Sequence, residues 1–326
     1  MNNPLITAGN LKLWSKLGPS GAFGAAACEL AKHDDRIVML TADLSVFTGL
    51  ERFRRNYPDQ FFNIGIAEQN LVGIASGMSS EGLIPFATTY ASFAVTRALD
   101  QVKVSMGYMG LPVKLVGFVS GFASGILGAT HLCLEDIAVI RAIPKITILS
   151  PADCLETVKA VQAASIYEGP VYIRLSGGIP TTMIYRENYN FEIGKSIELR
   201  SGSDLKIIAT GAVVAEALKA AELLEQQGIK AGVINMHTIK PLDKTCLQNV
   251  VANSSLLVTL EEHSIFGGLG EAVASYLVSS GSHPPLLQIG AEGDYPHAAS
   301  YPYLIKQAGL DAQSVAQRIL MKLEEL

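Results

Sequence analysis

Residues 61–97 read FFNIGIAEQNLVGIASGMSSEGLIPFATTYASFAVTR. The apolar run 61–66 predicts a buried strand, and 67–82 predicts a helix with Leu71, Ile74 and Met78 on one face. Glu68 then falls at the strand-to-helix joint, close to the first helical turn, in a nearly uncharged setting. Pro85 and Phe86 open a second strand. Tyr90 and Phe93 follow three residues apart, so one helical turn would put both rings on one face. A carboxylate beside two co-facial aromatics, on loops at strand ends, is a site for a flat heteroaromatic ligand.

The same alternation runs outward in both directions. Upstream, Pro19-Ser20-Gly21 separates a short amphipathic stretch from an Ala-rich helix at 22–32, and 36–41 is a β-rich apolar run. Downstream come a helix at 97–107, a strand at 113–119 and a Gly-rich loop, Ser120 to His131. A long glycine-rich loop after a buried strand is where a ligand meets backbone. A helix at 132–142, a strand at 146–150, a helix at 155–167 and a strand at 171–175 follow. Residues 176–204 change character, and the alternation restarts at 205. Near-continuous apolar strands between helices predict an α/β protein of two doubly wound domains with mostly parallel sheets. The expected limits are 15–185 for the first domain, 186–195 for a linker and 196–326 for the second.

Composition narrows the function. The chain has 326 residues, 49% hydrophobic and only 17% charged, enough to bury a large core and a subunit interface besides. A net charge of −5 without a Lys/Arg cluster argues against nucleic acid as partner. Cys28, Cys133, Cys154 and Cys246 are scattered, which indicates neither a zinc site nor a disulfide framework. The N-terminus lacks a signal-peptide pattern and no apolar run reaches the length of a membrane span. A reducing cytoplasm is the simplest compartment.

Each candidate has a plain structural reading beside the functional one. An acid in a first helical turn complements the helix dipole. Aromatics at helical spacing are ordinary core, and His131 alone could be a core or helix-start histidine. Glu261-Glu262-His263 with Gly267-Gly268-Leu269-Gly270 matches GxGxxG only loosely, so close helix–strand packing is the simpler use of those glycines.

As a set, these segments resemble the C-terminal half of the transketolase family over roughly residues 15–320. YPDQFFNIGIAEQN is similar to the segment carrying that family's cofactor-activating glutamate. ALDQVKVSMGYMGLPVKLV, GATHLCLEDIAVIRAIPKITILSPAD, HTIKPLD and LEEHSIFGGLG follow in order and spacing. The resemblance implies a thiamine-diphosphate pyrimidine-binding fold followed by a transketolase C-terminal fold. It implies that Glu68 bonds N1′ of the cofactor's aminopyrimidine, that Tyr90 and Phe93 pack on that ring, that Asp43 lies beside the cofactor and that His131 touches substrate. Glu68 and His131 are thereby the catalytic candidates.

The family holds the diphosphate through Mg²⁺ on a domain marked by GDG, and this chain has no GDG. The resemblance therefore implies a split enzyme. A separate N-terminal subunit would supply the metal ligands, none coming from this chain, in a heterotetramer of two copies of each that acts on small sugars. Several substrate positions depart from ordinary transketolases. Their donor-selecting acid falls on Leu127, their phosphate-binding arginine on Gly177, a serine near Phe47 and a histidine on Val119 or Ser120. Polar groups for a phosphosugar give way to apolar or small ones. Two rivals stand beside this reading: the β subunit of a 2-oxo-acid dehydrogenase, and a non-catalytic partner subunit.

Overall fold

The computed structural model describes residues 5–326. In chain order the first half contains α1 (Ala8–Ala31), β1 (Ile37–Thr41), α2 (Glu51–Asn56), β2 (Phe61–Asn63), α3 (Glu68–Ser80) and β3 (Ile84–Tyr90). α4 (Leu99–Gln101) lies between two π-helical turns, Phe93–Arg97 and Val102–Tyr108. Then come β4 (Lys114–Ser120), α5 (Asp136–Ala142), β5 (Thr147–Leu149), α6 (Cys154–Ser165) and β6 (Val171–Ser176). The second half contains β7 (Ile197–Arg200), β8 (Leu205–Ala209), α7 (Val214–Glu225), β9 (Ala231–Asn235), β10 (Thr238–Lys240) and α8 (Lys244–Ala252). It closes with β11 (Leu256–Ser264), α9 (Leu269–Ser280), β12 (Leu286–Ala291), α10 (Tyr301–Gln307) and α11 (Ala312–Glu324).

Two sheets result. The first has the order β10-β5-β6-β4-β3-β1-β2, the second β12-β11-β8-β9-β7. All pairings are parallel except those of β10 with β5 and β7 with β9. Both faces of each sheet are covered by helices. On the first sheet, Phe23 and Trp14 of α1 pack with Val158 of α6 over Phe86 and Phe118, while Leu71, Val95 and Ile137 fill the opposite side. On the second, α7 and α11 cover one face and α8 and α9 the other. The expected α/β architecture of two doubly wound, mostly parallel sheets is therefore the observed one.

β10 is the exception to a clean division. It follows the second sheet's β9 in sequence but pairs antiparallel at the edge of the first, Thr238 against Leu149. The second half of the chain thus completes the first half's sheet.

Local chemistry sets the element ends. Asp153, Asp243 and Asp311 cap α6, α8 and α11 by accepting from Glu156 N (2.8 Å), Cys246 N (3.0 Å) and Ser314 N (3.3 Å). α1 bends at Gly18, whose φ of 74° no other residue adopts cheaply, just before Pro19. Beyond the bend, Gly24 meets the loop that leaves β1: a Cβ there would collide with the Gly49 carbonyl oxygen. Gly24→Ala should therefore cost about 1–3 kcal/mol through overpacking, read as a lower denaturant midpoint. A neutral result would show that α1 shifts freely.

Register places the site. Thr41 of β1 pairs with both Asn63 and Thr88, and Tyr90 at the end of β3 pairs with Phe118 of β4. The loop after β1, the start of α3, the turn after β3 and the Gly-rich loop after β4 therefore emerge side by side at the carboxyl ends of the strands, where open α/β sheets bind ligands.

Candidate functional site

Glu68 is the first residue of α3 and is only 1% exposed. A carboxylate so placed needs partners. Its Oε2 accepts from Arg97 Nη1 at 2.8 Å and its Oε1 from Thr89 Oγ1 at 3.4 Å. The setting is thus not uncharged: Arg97, at the end of the turn after β3, supplies a counter-charge. Its guanidinium also lies 4.2 Å from the centre of the Phe93 ring, a cation–π distance.

Tyr90 and Phe93 do come together, their centroids 6.3 Å apart and their planes 30° from each other, but not through a helix. Tyr90 is still paired in the sheet and Phe93 starts the π-helical turn, so a bend at the strand end brings the rings together. Sheet pairing overrides the helical spacing. His131 closes the group, its ring 5.3 Å from Phe93 and 6.1 Å from Tyr90, both edge-on. Its Nδ1 lies 3.0 Å from Thr130 Oγ1. Phe47 stands 6.5 Å from Tyr90 on the other side and is 62% exposed.

Asp43 lies just past the end of β1 with φ 59°, a conformation that costs a non-glycine residue energy. Asn63 holds it there. The Asn63 side chain donates to Asp43 Oδ1 at 2.8 Å and accepts from the Asp43 backbone N–H at 3.1 Å. Leu127 projects from the Gly-rich loop and is 48% exposed. Gly177 is placed apart from the rings, at the end of β6. It lines a cleft of about 340 Å³ with Ala212, Glu216 and Tyr301. The structure therefore unites Glu68, Tyr90, Phe93, His131 and Phe47, and sets Gly177 in a different recess.

Sequence reading missed Arg97, Thr89 and Asn63. Arg97 carried a usable signal, being the sole basic residue of stretch 61–97 and one helical turn beyond Phe93. Among the described residues, no cluster of three or more His, Cys, Asp or Glu could hold a metal ion, and no helix is long and apolar enough to cross a membrane.

The second Gly-rich joint serves packing, not a dinucleotide. Glu261, in the second half of β11, accepts from Leu269 N and Gly270 N at 2.7 Å each and so caps α9. A Cβ on Gly268 would run into that carboxylate.

Two family descriptions account for most of the sequence. The transketolase pyrimidine-binding domain matches residues 16–179, and the transketolase C-terminal domain matches 194–315. The chain belongs to the transketolase family. Among relatives of this transketolase-family chain is a putative transketolase C-terminal section of Methanocaldococcus jannaschii, 39% identical over 310 residues, covering 94% of this chain and 97% of the relative. A 6-deoxy-6-sulfo-D-fructose transketolase subunit of Clostridium sp. is 39% identical over 289 residues and covers 89% of each. A solved structure described as a split gene transketolase, inactive beta4 tetramer, superposes with a TM-score of 0.83 at 38% identity, over 92% of this chain and 96% of that one. The role of the chain is accordingly transketolase-like, in a family of thiamine-dependent transferases.

Proposed function

We propose that this chain is the C-terminal subunit of a split transketolase-like enzyme, which moves a two-carbon ketol unit between a ketose and an aldehyde. One observation carries the reading. A buried carboxylate, two aromatic rings and a histidine share one strand-end ledge, in a chain that matches a split gene transketolase over 92% of its length. The fit to an aminopyrimidine is direct: a buried acceptor, Glu68, stands beside aromatic faces. Thiamine diphosphate, when bound, supplies a nucleophilic carbon and an electron sink for cleaving a bond beside a carbonyl. Glu68 holds or moves a proton at the pyrimidine's N1′. Tyr90 and Phe93 pack on that ring, Asp43 lies beside the cofactor, and His131 offers Nε2 to a substrate hydroxyl.

A separate N-terminal subunit, in this reading, holds the diphosphate and its Mg²⁺. Two copies of each chain form the assembly, and apolar residues near the ledge, Val46 at 67% and Ile66 at 75% exposed, are suited to meet a partner. The matched ranges 16–179 and 194–315 support domain limits of 15–185 and 196–326 with a linker at 186–195. A relative named as an inactive tetramer of β chains is in keeping with a chain that needs a partner.

The test is reconstitution. This chain alone should show no ketol transfer, and adding a short GDG-bearing subunit should restore it. Full turnover by the isolated chain would refute the split arrangement. Phe47 and Leu127 further lead us to expect weaker use of xylulose 5-phosphate than of unphosphorylated ketoses in the reconstituted enzyme. Equal or better kcat/KM with the phosphosugar would overturn the altered pocket. Lipoamide-dependent turnover would instead favour the 2-oxo-acid dehydrogenase reading.

A further inference from the structure

The Gly-rich loop is closed at its base by Gly121 and Cys133, which exchange N–H···O bonds of 2.8 and 3.1 Å. Inside it, short backbone bonds run Gly125 N to Phe122 O (2.9 Å), Leu127 N to Ser124 O (2.7 Å) and His131 N to Gly128 O (3.0 Å). These fix the loop's shape but not its place over the site. Its place is set from the second domain. Glu262 of β11 accepts the Phe122 N–H on Oε1 at 2.7 Å. Ala299, just before α10, donates its N–H to the Gly125 carbonyl at 3.1 Å. Ser264 N–H donates to the Leu134 carbonyl at 2.7 Å, beyond the loop's far end. The Phe122 ring is buried in the second domain's core.

Glu262 is the one side chain among these holds. It is fully buried, and its other oxygen accepts from Tyr301 Oη at 2.8 Å. Burial raises its carboxyl to about 7, a cost that an inert spacer would not carry. Gly121 makes room for it: a Cβ there would collide with the Glu262 carboxylate. The Glu262 backbone carbonyl accepts from Arg174 Nη2 at 2.6 Å, which joins the hold to β6 of the first sheet. The loop gripped in this way presents Leu127 and ends on His131, whose ring touches Phe93 and Tyr90.

We propose that Glu262, braced by Tyr301, is a positioning residue for the reaction: from the second domain it fixes the loop that carries Leu127 and His131 over the substrate. This gives the C-terminal domain a part in catalysis without a contact to the cofactor. It rests on the split-transketolase reading for its kinetic consequence, but not for the tether itself.

Two variants separate the roles. Glu262→Ala removes both acceptors. Glu262→Gln keeps an amide oxygen for Phe122 N–H and an amide NH₂ for Tyr301 Oη. Amide hydrogen exchange on the full chain should be about tenfold faster across 121–131 in Glu262→Ala, with α3 unchanged. In the reconstituted enzyme the KM for the ketose should rise about tenfold while the thiamine diphosphate concentration for half-activity stays put. Glu262→Gln should restore both readouts. If Glu262→Ala does not fold, Tyr301→Phe, which removes only the brace, should shift both in the same direction by a smaller factor. Unchanged loop exchange overturns the tether, as does faster exchange spread evenly over the chain. A loosened loop with an unchanged KM overturns its part in positioning. If the wild-type pair shows no ketol transfer, the functional reading fails, and the exchange result alone upholds or overturns the tether.

Discussion

Glu68→Gln should lower turnover of the reconstituted enzyme by about 10²–10⁴-fold, the range by which positioned acid–base groups accelerate reactions. The substitution is nearly isosteric at a site only 1% exposed, so no cavity opens. The amide can still face Thr89 and can still accept from Arg97, which keeps its stacking place over Phe93. What is lost is the negative charge and the ability to carry a proton to and from a ring nitrogen. Cofactor binding should therefore weaken less than turnover, since Tyr90 and Phe93 keep their faces. The measurement is steady-state ketol transfer at saturating cofactor, beside a cofactor titration by quenching of intrinsic fluorescence. Activity within about threefold of wild type would put Glu68 outside the chemistry and favour a non-catalytic subunit. Arg97→Ala is the companion variant. It leaves the carboxylate buried with Thr89 as its remaining hydrogen-bond partner among the described residues, so an activity loss there with unchanged cofactor affinity would show that the ion pair holds the carboxylate in its working place.

Local pattern revealed the parts of this site that depend on local structure. The helix starting at Glu68, the strand ending near Tyr90 and the glycine-rich exit after β4 all follow from apolar runs and breakers. What stayed hidden depends on pairing across long separations. Arg97 reaches Glu68 only because β3 and the turn after it fold back beside α3. Phe122 meets Glu262 across 140 positions, and no periodicity encodes such a pair. β10 is three residues long and antiparallel, too short for alternation to show, and it joins a sheet built by the other half of the chain. The Tyr90–Phe93 contact was anticipated, yet for a helical reason that sheet pairing replaced. Pattern therefore indicated which groups lie near the strand ends, and topology decided which of them meet.

The seam between the two domains carries the largest expected stability effect. Asp136 and Arg174 are both fully buried. Arg174 Nε donates to both Asp136 oxygens at 3.0 and 2.9 Å, and Tyr172 Oη donates to Oδ2 at 2.9 Å. Arg174 Nη2 reaches across to the Glu262 carbonyl, while Nη1 has no hydrogen-bond partner among the described residues. Asp136→Ala would leave a guanidinium in the core without its counter-charge. Breaking a buried pair in this way costs about 3–5 kcal/mol, a large share of the roughly 5–15 kcal/mol that holds a domain folded. The denaturant midpoint should fall with an unchanged slope. The double variant Asp136→Leu with Arg174→Met should recover much of the loss, because well-packed apolar side chains replace a desolvated pair without leaving a charge stranded. A loss below about 1 kcal/mol in Asp136→Ala would mean that water or a neighbour takes over the guanidinium. Recovery of stability need not be recovery of function. Met at 174 cannot donate to the Glu262 carbonyl, so the double variant should fold and yet leave residues 121–131 exchanging faster than wild type. That split between a restored midpoint and a loosened loop would separate what the ion pair does for the fold from what it does for the site.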